Sequence, residues 1–282
     1  MLAYPVSNKP INYNEPVFMQ PKLDGVRCVI QYDKHINKSE NRVVAYSRTG
    51  KEWKNIHHIL EQLKPFFQKY PNVILDGELY NHDLKDDFET IISLVRRQKP
   101  DDIDMLESAD LVQFHCYDII DEELPFDQRI EFVTEALMLL GDSIYTVDTV
   151  QIPNQFEAEE MHEVNMNSGF EGSILRTNDK YACKRSHNLR KFKDFSDTEA
   201  TIVGYEEGKG KREGTLGKFL MQDDDGNQFG CPPGKGYNYK DLAVMLNDIH
   251  KYMGQRATFT YFERTKAGSY RHPLFKAIRD YE

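Results

Sequence analysis

The sequence predicts an α+β protein of two domains, and three observations support this prediction. The chain has 282 residues, of which 39% are hydrophobic, so its length permits two modest domains with their own cores. Strand-like runs alternate with helical-looking segments up to about residue 195. Beyond that point, short strands with Gly and Asp-Gly punctuation surround one helix-like segment, which is typical of a small closed or nearly closed barrel of OB type. We therefore place the domains at residues 1–195 and 196–282.

The individual elements follow from local patterns. In the first domain, β-branched and aromatic runs predict strands in RVVAYSR, NVILDGELY, LVQFHCYDII and GSILRT. Helical spacing predicts helices near residues 57–68, 87–97, 129–140 and 156–167. In the second domain, strands are predicted in TEATIVGYEEG, GTLGKFLMQDDDGNQFG and QRATFTYFERT, with a helix over 240–252. The expected first domain therefore has antiparallel sheets with flanking helices.

Charge and cysteine usage exclude several classes of protein. The net charge is −10, from 36 basic and 46 acidic residues, which argues against indiscriminate coating of nucleic acid. Basic residues nevertheless cluster at 183–193, 208–218 and 264–279, which suits a polyanion on one face. The four cysteines form no CxxC pair, so neither a zinc ribbon nor a disulfide framework is indicated. We expect a cytoplasmic protein without a membrane partner, because no basic and apolar leader and no run of roughly 18 apolar residues is found.

The stretch FMQPKLDGVRCVIQYD carries more charge than its structure needs. Its flanks read as strands, and Asp24 with Gly25 predicts a hairpin turn between them. Lys22 and Arg27 are charged residues that this turn does not require. A lysine attacks phosphorus only as the free amine, so a neighbouring cation such as Arg27 or a metal would have to lower its pKa. The alternative for a lone lysine is an exposed position on a hairpin.

The Lys-x-Asp-Gly-x-Arg pattern from Lys22 to Arg27 resembles the covalent nucleotidyltransferases, which comprise ATP-dependent DNA ligases, RNA ligases and mRNA capping enzymes. In that superfamily the lysine takes the nucleoside monophosphate through a phosphoramide bond. The resemblance therefore implies that Lys22 is the nucleophile, that ATP is the cofactor, and that Arg27 binds phosphate or the ends of the nick.

Further motifs follow in the order of that superfamily. SRTGK provides Arg48, which the resemblance implies contacts the nucleic acid. LDGELY places Asp76, Glu78 and Tyr80 on one side of a strand, and Glu78 is implied to hold the ribose or a metal-bound water. FHCYDII provides Tyr117, implied to stack on the purine. Taken alone, these segments would be a hairpin turn, a solvated strand face and a core tyrosine.

The last motifs of the first domain are rich in charge. FEGSILR provides Glu171 for a divalent-metal site, where hard oxygen ligands match Mg²⁺, with Mn²⁺ as an alternative. LRKFK provides Lys191 and Lys193, which share a strand face and are implied to stabilise the charge on the α-phosphate. Arg185 matches an arginine that reaches the triphosphate in small viral ligases. A generic basic patch for phosphate backbones is the alternative.

The resemblance extends into the second domain. Its strands, and the run from Arg271 to Phe275, look like the OB domain of small viral and bacterial ATP-dependent DNA ligases. We expect Lys209, Lys211, Lys218 and Arg271 to bind DNA. The final motif is short, and it places Arg279 where an arginine of the family orients pyrophosphate.

The sequence thus resembles a minimal two-domain ATP-dependent DNA ligase. The expected function is sealing of 5′-phosphate/3′-hydroxyl nicks in duplex DNA through lysyl-AMP and DNA-adenylate, by a monomer acting in replication, repair or recombination. An RNA ligase or a capping-type nucleotidyltransferase is the alternative enzyme. A non-catalytic nucleic-acid-binding module is the alternative of another class.

Overall fold

The structure is a computed structural model that describes residues 1–6, 9–33, 42–85, 87–138, 140–192, 196–234, 236–261, 264 and 268–279. The chain divides into two compact units, Met1–Lys193 and Asp194–Glu282. Among the described residues, no helix is both long enough and apolar enough to cross a membrane.

The described residues of the first unit form two five-stranded sheets. Its strands in chain order are β1 (Leu2–Pro5), β2 (Val17–Pro21), β3 (Val26–Asp33), β4 (Arg42–Tyr46), β5 (Ile74–Tyr80), β6 (Gln113–Ile119), β7 (Ile144–Thr146), β8 (Val150–Gln151), β9 (Ser173–Thr177) and β10 (Arg185–Phe192). One sheet has the order β1-β10-β9-β2-β8, and the other has the order β4-β3-β5-β6-β7. Pairing is antiparallel except for β1 with β10 and β6 with β7.

Helices flank these sheets. They are α1 (His57–Gln62), α2 (Lys64–Lys69), α3 (Phe88–Val95), α4 (Asp102–Leu111), α5 (Phe126–Leu137) and α6 (Gln155–Asn167). The main core lies between the helices and the sheet that contains β5, and it includes the buried Trp53. A smaller apolar cluster joins β2 and β9 to α6. The predicted α+β class is confirmed.

Two local expectations need correction, and one helix was not predicted. Asp24 and Gly25 do not form a hairpin turn, because β2 and β3 belong to different sheets. The helix predicted over 57–68 is divided at Leu63, where Pro65 at the start of α2 cannot donate an N–H to the preceding turn. The acidic stretch at 101–110 contains α4, which begins with a capping box between Asp101 and Asp104.

The two sheets of the first unit are joined by a buried ion network centred on Asp118. This carboxylate on β6 accepts hydrogen bonds from Nε of Arg129 at 2.7 Å and from Nη2 at 3.2 Å. It also accepts one from Nη1 of Arg176 on β9 at 2.7 Å. All three side chains are at most 5% exposed. The network therefore fixes α5 and both sheets to one another.

The second unit is a single curled sheet with one α-helix among its described residues. Its elements are β11 (Ser196–Glu207), β12 (Leu216–Gln222), β13 (Gln228–Cys231), α7 (Tyr239–Asn247), β14 (Arg256–Tyr261) and β15 (Leu274–Ile278). The strand order is β13-β12-β11-β14-β15. Phe275 in β15 donates to the carbonyl of Pro232 at 2.8 Å and accepts from the N–H of Gly234 at 2.9 Å. The segment after β13 thus pairs with the strand at the other end of the sheet, as in a nearly closed barrel.

Replacement of Asp118 by alanine should strongly destabilise the first unit. The change leaves the guanidinium groups of Arg129 and Arg176 buried without their shared carboxylate, and such a loss costs about 3–5 kcal/mol of unfolding free energy. Urea unfolding followed by fluorescence measures this, because the one tryptophan of the chain, Trp53, is buried in this unit. As a control, Glu123→Ala removes the exposed ion pair with Lys180 and should unfold like the wild type. Equal midpoints for all three proteins would contradict the prediction.

Candidate active site

Lys22 lies where the chain passes from β2 in one sheet to β3 in the other. Gly25 permits this crossing because it lies against β5: a Cβ atom there would fall 2.4 Å from the carbonyl oxygen of Leu79 and 2.7 Å from Cγ of Glu78. No side chain fits this space. The glycine of the motif is therefore required by a close approach, and the crossing brings Lys22 and Glu78 to the same cavity.

Glu171 is paired with Lys22 through both backbone and side chain. The N–H of Lys22 donates to the carbonyl of Gly172 at 2.9 Å, and the N–H of Glu171 donates to the carbonyl of Lys22 at 3.0 Å. The ammonium of Lys22 forms an ion pair with Oε2 of Glu171. The lysine side chain is 23% exposed, whereas that of Glu171 is 6% exposed. The lysine is thus accessible while its counterion is buried and fixed.

A cavity of about 120 Å³ opens beside this pair. The residues that line it come from both sheets of the first unit: Met1, Gln20, Pro21, Lys22, Leu23, Asp76, Glu78, Tyr117, Ile174, Arg176 and Leu189. Apolar side chains form part of the wall, and several buried polar groups converge on it. This combination is typical of a small-molecule site.

Asp76 fixes a group of polar side chains at the wall of the cavity. Its carboxylate is 2% exposed and accepts hydrogen bonds from Arg27 Nε at 2.9 Å and Nη2 at 3.0 Å. It also accepts from the hydroxyl of Tyr181 at 2.6 Å and from that of Tyr117 at 3.3 Å. Burial, reinforced by Asp76, raises the pKa of Tyr117 well above its ordinary value, so this hydroxyl stays a donor.

Glu78 is a second carboxyl group at the cavity. Burial raises the pKa of Glu78 to about 8; the Lys22 ammonium opposes this shift, and the Asp76 carboxylate adds to it. Burial therefore favours the protonated form of this carboxyl group. A neutral carboxyl can donate as well as accept hydrogen bonds.

Strand register assigns Lys191 to the cavity side of its sheet. Lys191 is opposite Ile174 in the pairing of β10 with β9, and it shares a strand face with Leu189. Both Ile174 and Leu189 line the cavity. Lys193, predicted to work with Lys191, lies outside the described residues.

Two further arginines singled out in the sequence lie at the surface of the first unit. Arg185, at the start of β10, donates from Nη1 to the carbonyl of Ala3 at 2.8 Å. Its guanidinium also lies 5.5 Å from the centroid of the Tyr4 ring. Arg48 is exposed in the turn that follows β4, where Gly50 has a φ of +80°. Neither arginine is among the residues that line the cavity.

The basic residues predicted to bind DNA in the second unit are mostly on its surface. Lys209 and Lys211 are exposed, in and beside the short 3-10 helix Gly210–Arg212. Lys218, on β12, forms an ion pair of 3.0 Å with Glu206.

Two arginines flank the last strand of the second unit. Arg271 precedes β15 and is partly buried. Arg279 follows β15 and is ion-paired with Glu199 of β11.

Glu78 and Glu171 suit a metal ion that binds together with a phosphate-bearing ligand. Among the described residues, no group of three or more His, Cys, Asp or Glu side chains could hold a metal. Glu78 lines the cavity, and Glu171 pairs with the lysine at its edge. Mg²⁺ commonly uses one or two protein carboxylates when phosphate oxygens complete its shell. The two carboxylates fit that arrangement.

Sequence reasoning missed the polar groups beneath the cavity. Gln20 accepts from Nε of Arg176 at 2.7 Å and donates to the hydroxyl of Thr149 at 2.9 Å and to the carbonyl of Tyr117 at 3.2 Å. Nothing in the local pattern distinguishes Gln20. Arg129 could have been found, because it occupies an inward position of α5 by helical spacing, where a charge needs a buried partner.

Two family models match the chain. The model for the ATP-dependent DNA ligase domain matches residues 1–193, and that for the DNA ligase OB-like domain matches residues 207–279. A DNA ligase of African swine fever virus is 28% identical over 207 residues, which cover 70% of this chain and 46% of the relative. This chain thus spans about half the length of that viral protein. A DNA ligase of Haemophilus influenzae is 25% identical over 263 residues, which cover 90% of this chain and 85% of the relative.

Solved structures show the same fold. A Lig E DNA ligase superposes with a TM-score of 0.77 at 24% identity, covering 99% of this chain and 98% of that one. The ATP-dependent DNA ligase of bacteriophage T7, in complex with ATP, gives a TM-score of 0.59 at 18% identity, with coverage of 99% and 97%. The resemblance read from the motifs is confirmed.

The raised pKa of Glu78 predicts how stability changes with pH. The unfolded chain releases this proton near the ordinary value of 4.5, whereas the folded protein holds it up to about pH 8. The contribution of Glu78 to stability therefore falls as pH rises between these values, and levels off above them. Glu78→Gln removes this titration. We expect its unfolding free energy, relative to wild type, to increase from pH 5 to pH 8 in urea titrations followed by Trp53 fluorescence. Parallel pH profiles would contradict the assignment.

Proposed function

The chain belongs to the family of ATP-dependent DNA ligases, and from this premise we propose that it seals nicks in duplex DNA through a covalent lysyl-AMP intermediate. The observation that carries the proposal is the position of Lys22. It is accessible, ion-paired with a buried carboxylate, and located at a cavity with convergent polar groups from two sheets. A simple nucleic-acid-binding module has no use for this arrangement.

In the proposed first step, Nζ of Lys22 attacks the α-phosphorus of ATP. A P–N bond forms, the bond between the α-phosphorus and the bridging oxygen breaks, and pyrophosphate leaves. Lys22 must first lose a proton, because the ammonium has no free electron pair. Glu171 already accepts a hydrogen bond from Nζ and is placed to receive that proton.

The cavity residues supply the proposed binding groups for the nucleotide. Tyr117 offers a ring face for the purine, and the neutral carboxyl of Glu78 is suited to a ribose hydroxyl. Lys191 and Lys193 are proposed to stabilise the charge that develops on the α-phosphate. Arg27 is proposed to bind phosphate or the ends of the nick. For this it has to give up part of its bidentate contact with Asp76.

Arg185 is proposed for the triphosphate and Arg279 for the pyrophosphate. Both are committed to other partners in this structure, Arg185 to the carbonyl of Ala3 and Arg279 to Glu199. The role of Arg279 therefore requires it to leave Glu199, whereas Arg185 has further N–H donors besides Nη1.

Mg²⁺ is the proposed metal, held by Glu171 and Glu78 together with phosphate oxygens, and Mn²⁺ is an alternative. When bound, it would neutralise phosphate charge during transfer. Binding at Glu78 requires loss of the proton that burial retains there, so metal and proton compete for this group.

The later steps concern DNA. AMP passes from Lys22 to the 5′-phosphate of the nick, and the 3′-hydroxyl then attacks that phosphate and releases AMP. Arg48 in the first unit and Lys209, Lys211, Lys218 and Arg271 in the second are the proposed DNA contacts. We propose a monomer, because the expected chemistry needs one cavity and one lysine.

A two-stage label transfer tests the proposed chemistry. The protein with Mg²⁺ and α-phosphate-labelled ATP should become labelled, and addition of a nicked, 5′-phosphorylated DNA duplex should release the label as AMP while the strand is sealed. Lys22→Ala should take up no label, because the nucleophile is absent. A matched nick with RNA strands distinguishes an RNA ligase. Absence of label in the wild type with both ATP and GTP would overturn the proposal.

The proposed DNA contacts of the second unit predict a change in salt dependence. Replacing Lys209, Lys211 and Lys218 together by glutamine should weaken binding to nicked DNA and reduce the slope of log K against log salt by up to about 3. Self-adenylylation should remain, since no cavity residue is changed. A control triple variant replaces the exposed Lys240, Lys251 and Lys276. An unchanged slope in the first triple variant, or equal losses in both, would refute these contacts.

A further inference from the structure

The loop between α6 and β9 carries Glu171, and a segment that follows β5 holds this loop at three successive residues. Nε2 of His82 lies 3.0 Å from the carbonyl oxygen of Ser168. The side chain of Lys85 covers Gly169, where an added Cβ would fall 2.8 Å from Cδ of the lysine. The ring of His82 lies against that of Phe170, with centroids 4.5 Å apart. The loop is thus fixed immediately before Glu171.

The hydrogen bonds define the state of the His82 ring. A carbonyl oxygen only accepts, so Nε2 must carry the hydrogen that is donated to Ser168. In the neutral ring Nδ1 is then an acceptor, and the hydroxyl of Tyr80 donates to it at 2.7 Å. Both ring nitrogens are therefore satisfied in one tautomer, and the ring orientation is set from both sides.

Tyr80 is a rigid support for this histidine. It is 3% exposed and belongs to a cluster with Leu23 and Val147, against which Phe170 also packs. Its ring meets that of His115 edge to face at 5.3 Å. The hydroxyl that donates to Nδ1 thus belongs to a buried side chain, and this restricts the position of the His82 ring against the loop.

On its other side, the loop is fixed by the backbone. Phe170 donates to the carbonyl of Asn165 at 3.0 Å, and Glu171 donates to that of Lys22 at 3.0 Å. Gly169, with a φ of +86°, makes the bend between these anchors. His82 supplies the side-chain anchor that the backbone bonds do not provide.

We propose that His82 is a positioning residue for Glu171, holding the Ser168–Glu171 loop so that the carboxylate meets Lys22. This inference rests on the proposed function, since it concerns the first step of the same site. His82 does not line the cavity and acts only through the loop. Its loss should therefore lower the rate of lysine adenylylation more than the affinity for ATP.

Single-turnover adenylylation with labelled ATP tests this assignment. We expect His82→Ala to lower the maximal rate by about ten- to a hundredfold, the range for a misplaced reacting group, with the ATP concentration for half-maximal rate changed less than about threefold. His82→Gln should recover most of the rate, because its amide nitrogen reaches the position of Nε2 and can donate to Ser168. His82→Asn should not, because its amide is too short.

Two further comparisons separate positioning from general damage. His57→Ala, at an exposed histidine of α1, should adenylylate like the wild type. In a Glu171→Gln background, His82→Ala should lower the adenylylation rate by less than about twofold, because the effects of mutating residues that act as a unit are not additive. Thermal unfolding of each variant reports whether the fold persists. If His82→Ala unfolds, comparison of the rates of His82→Gln and His82→Asn still decides the question.

The outcomes are distinguishable from failure of the proposed function. If the wild type takes up no label, the proposed function fails. If the wild type is labelled and the alanine, glutamine and asparagine variants match its rate, His82 has no positioning role. Full additivity with Glu171→Gln, or equal rates for the glutamine and asparagine variants, would also overturn the assignment.

Discussion

The site depends on one buried carboxylate held between two arginines. Asp118 receives hydrogen bonds from Arg129 and Arg176, and all three side chains are almost fully inaccessible. The cost of burying these charges is offset only while every partner is in place. Because Asp118 and Arg176 belong to different sheets, the ion network ties the two sheets together beside the cavity that Arg176 lines. Arg176 in turn orients Gln20, whose amide reaches the backbone of Tyr117.

A second network, built on Asp76, also borders the cavity, and Tyr117 connects the two networks. Its hydroxyl donates to Asp76, while the guanidinium of Arg176 lies 5.3 Å from the centroid of its ring. The neighbouring carboxyls of β5 differ in their surroundings: Asp76 forms an ion pair with Arg27, whereas burial raises the pKa of Glu78. Two acids separated by one residue thus present different hydrogen-bonding properties to the same cavity.

Much of this could be predicted from sequence, and the rest follows from tertiary contacts that no local pattern records. The ordered motifs identified the family, and Lys22, Glu78 and Tyr117 do lie around one cavity. The Asp-Gly pattern wrongly predicted a hairpin at Asp24 and Gly25, because strand pairing depends on contacts across the whole sheet. The glycine is instead required by the close approach of the chain to Leu79. The acidic residues of α4 concealed a helix whose stability comes from its cap and from Ser108 buried against Asn55. Gln20 and Arg176 carry no signal until both sheets are assembled.

The ion pair of Lys22 with Glu171 also bears on chemical selectivity. An amine at the mouth of a cavity is exposed to every small electrophile that diffuses past, including aldehydes and activated acyl groups. Held as an ammonium against a buried carboxylate, it has no lone pair to offer them. Under the proposed function, the reactive amine appears only when the ammonium gives up its proton, and Glu171 is placed to receive it. The ion pair therefore protects Lys22 from unrelated electrophiles until that proton is transferred.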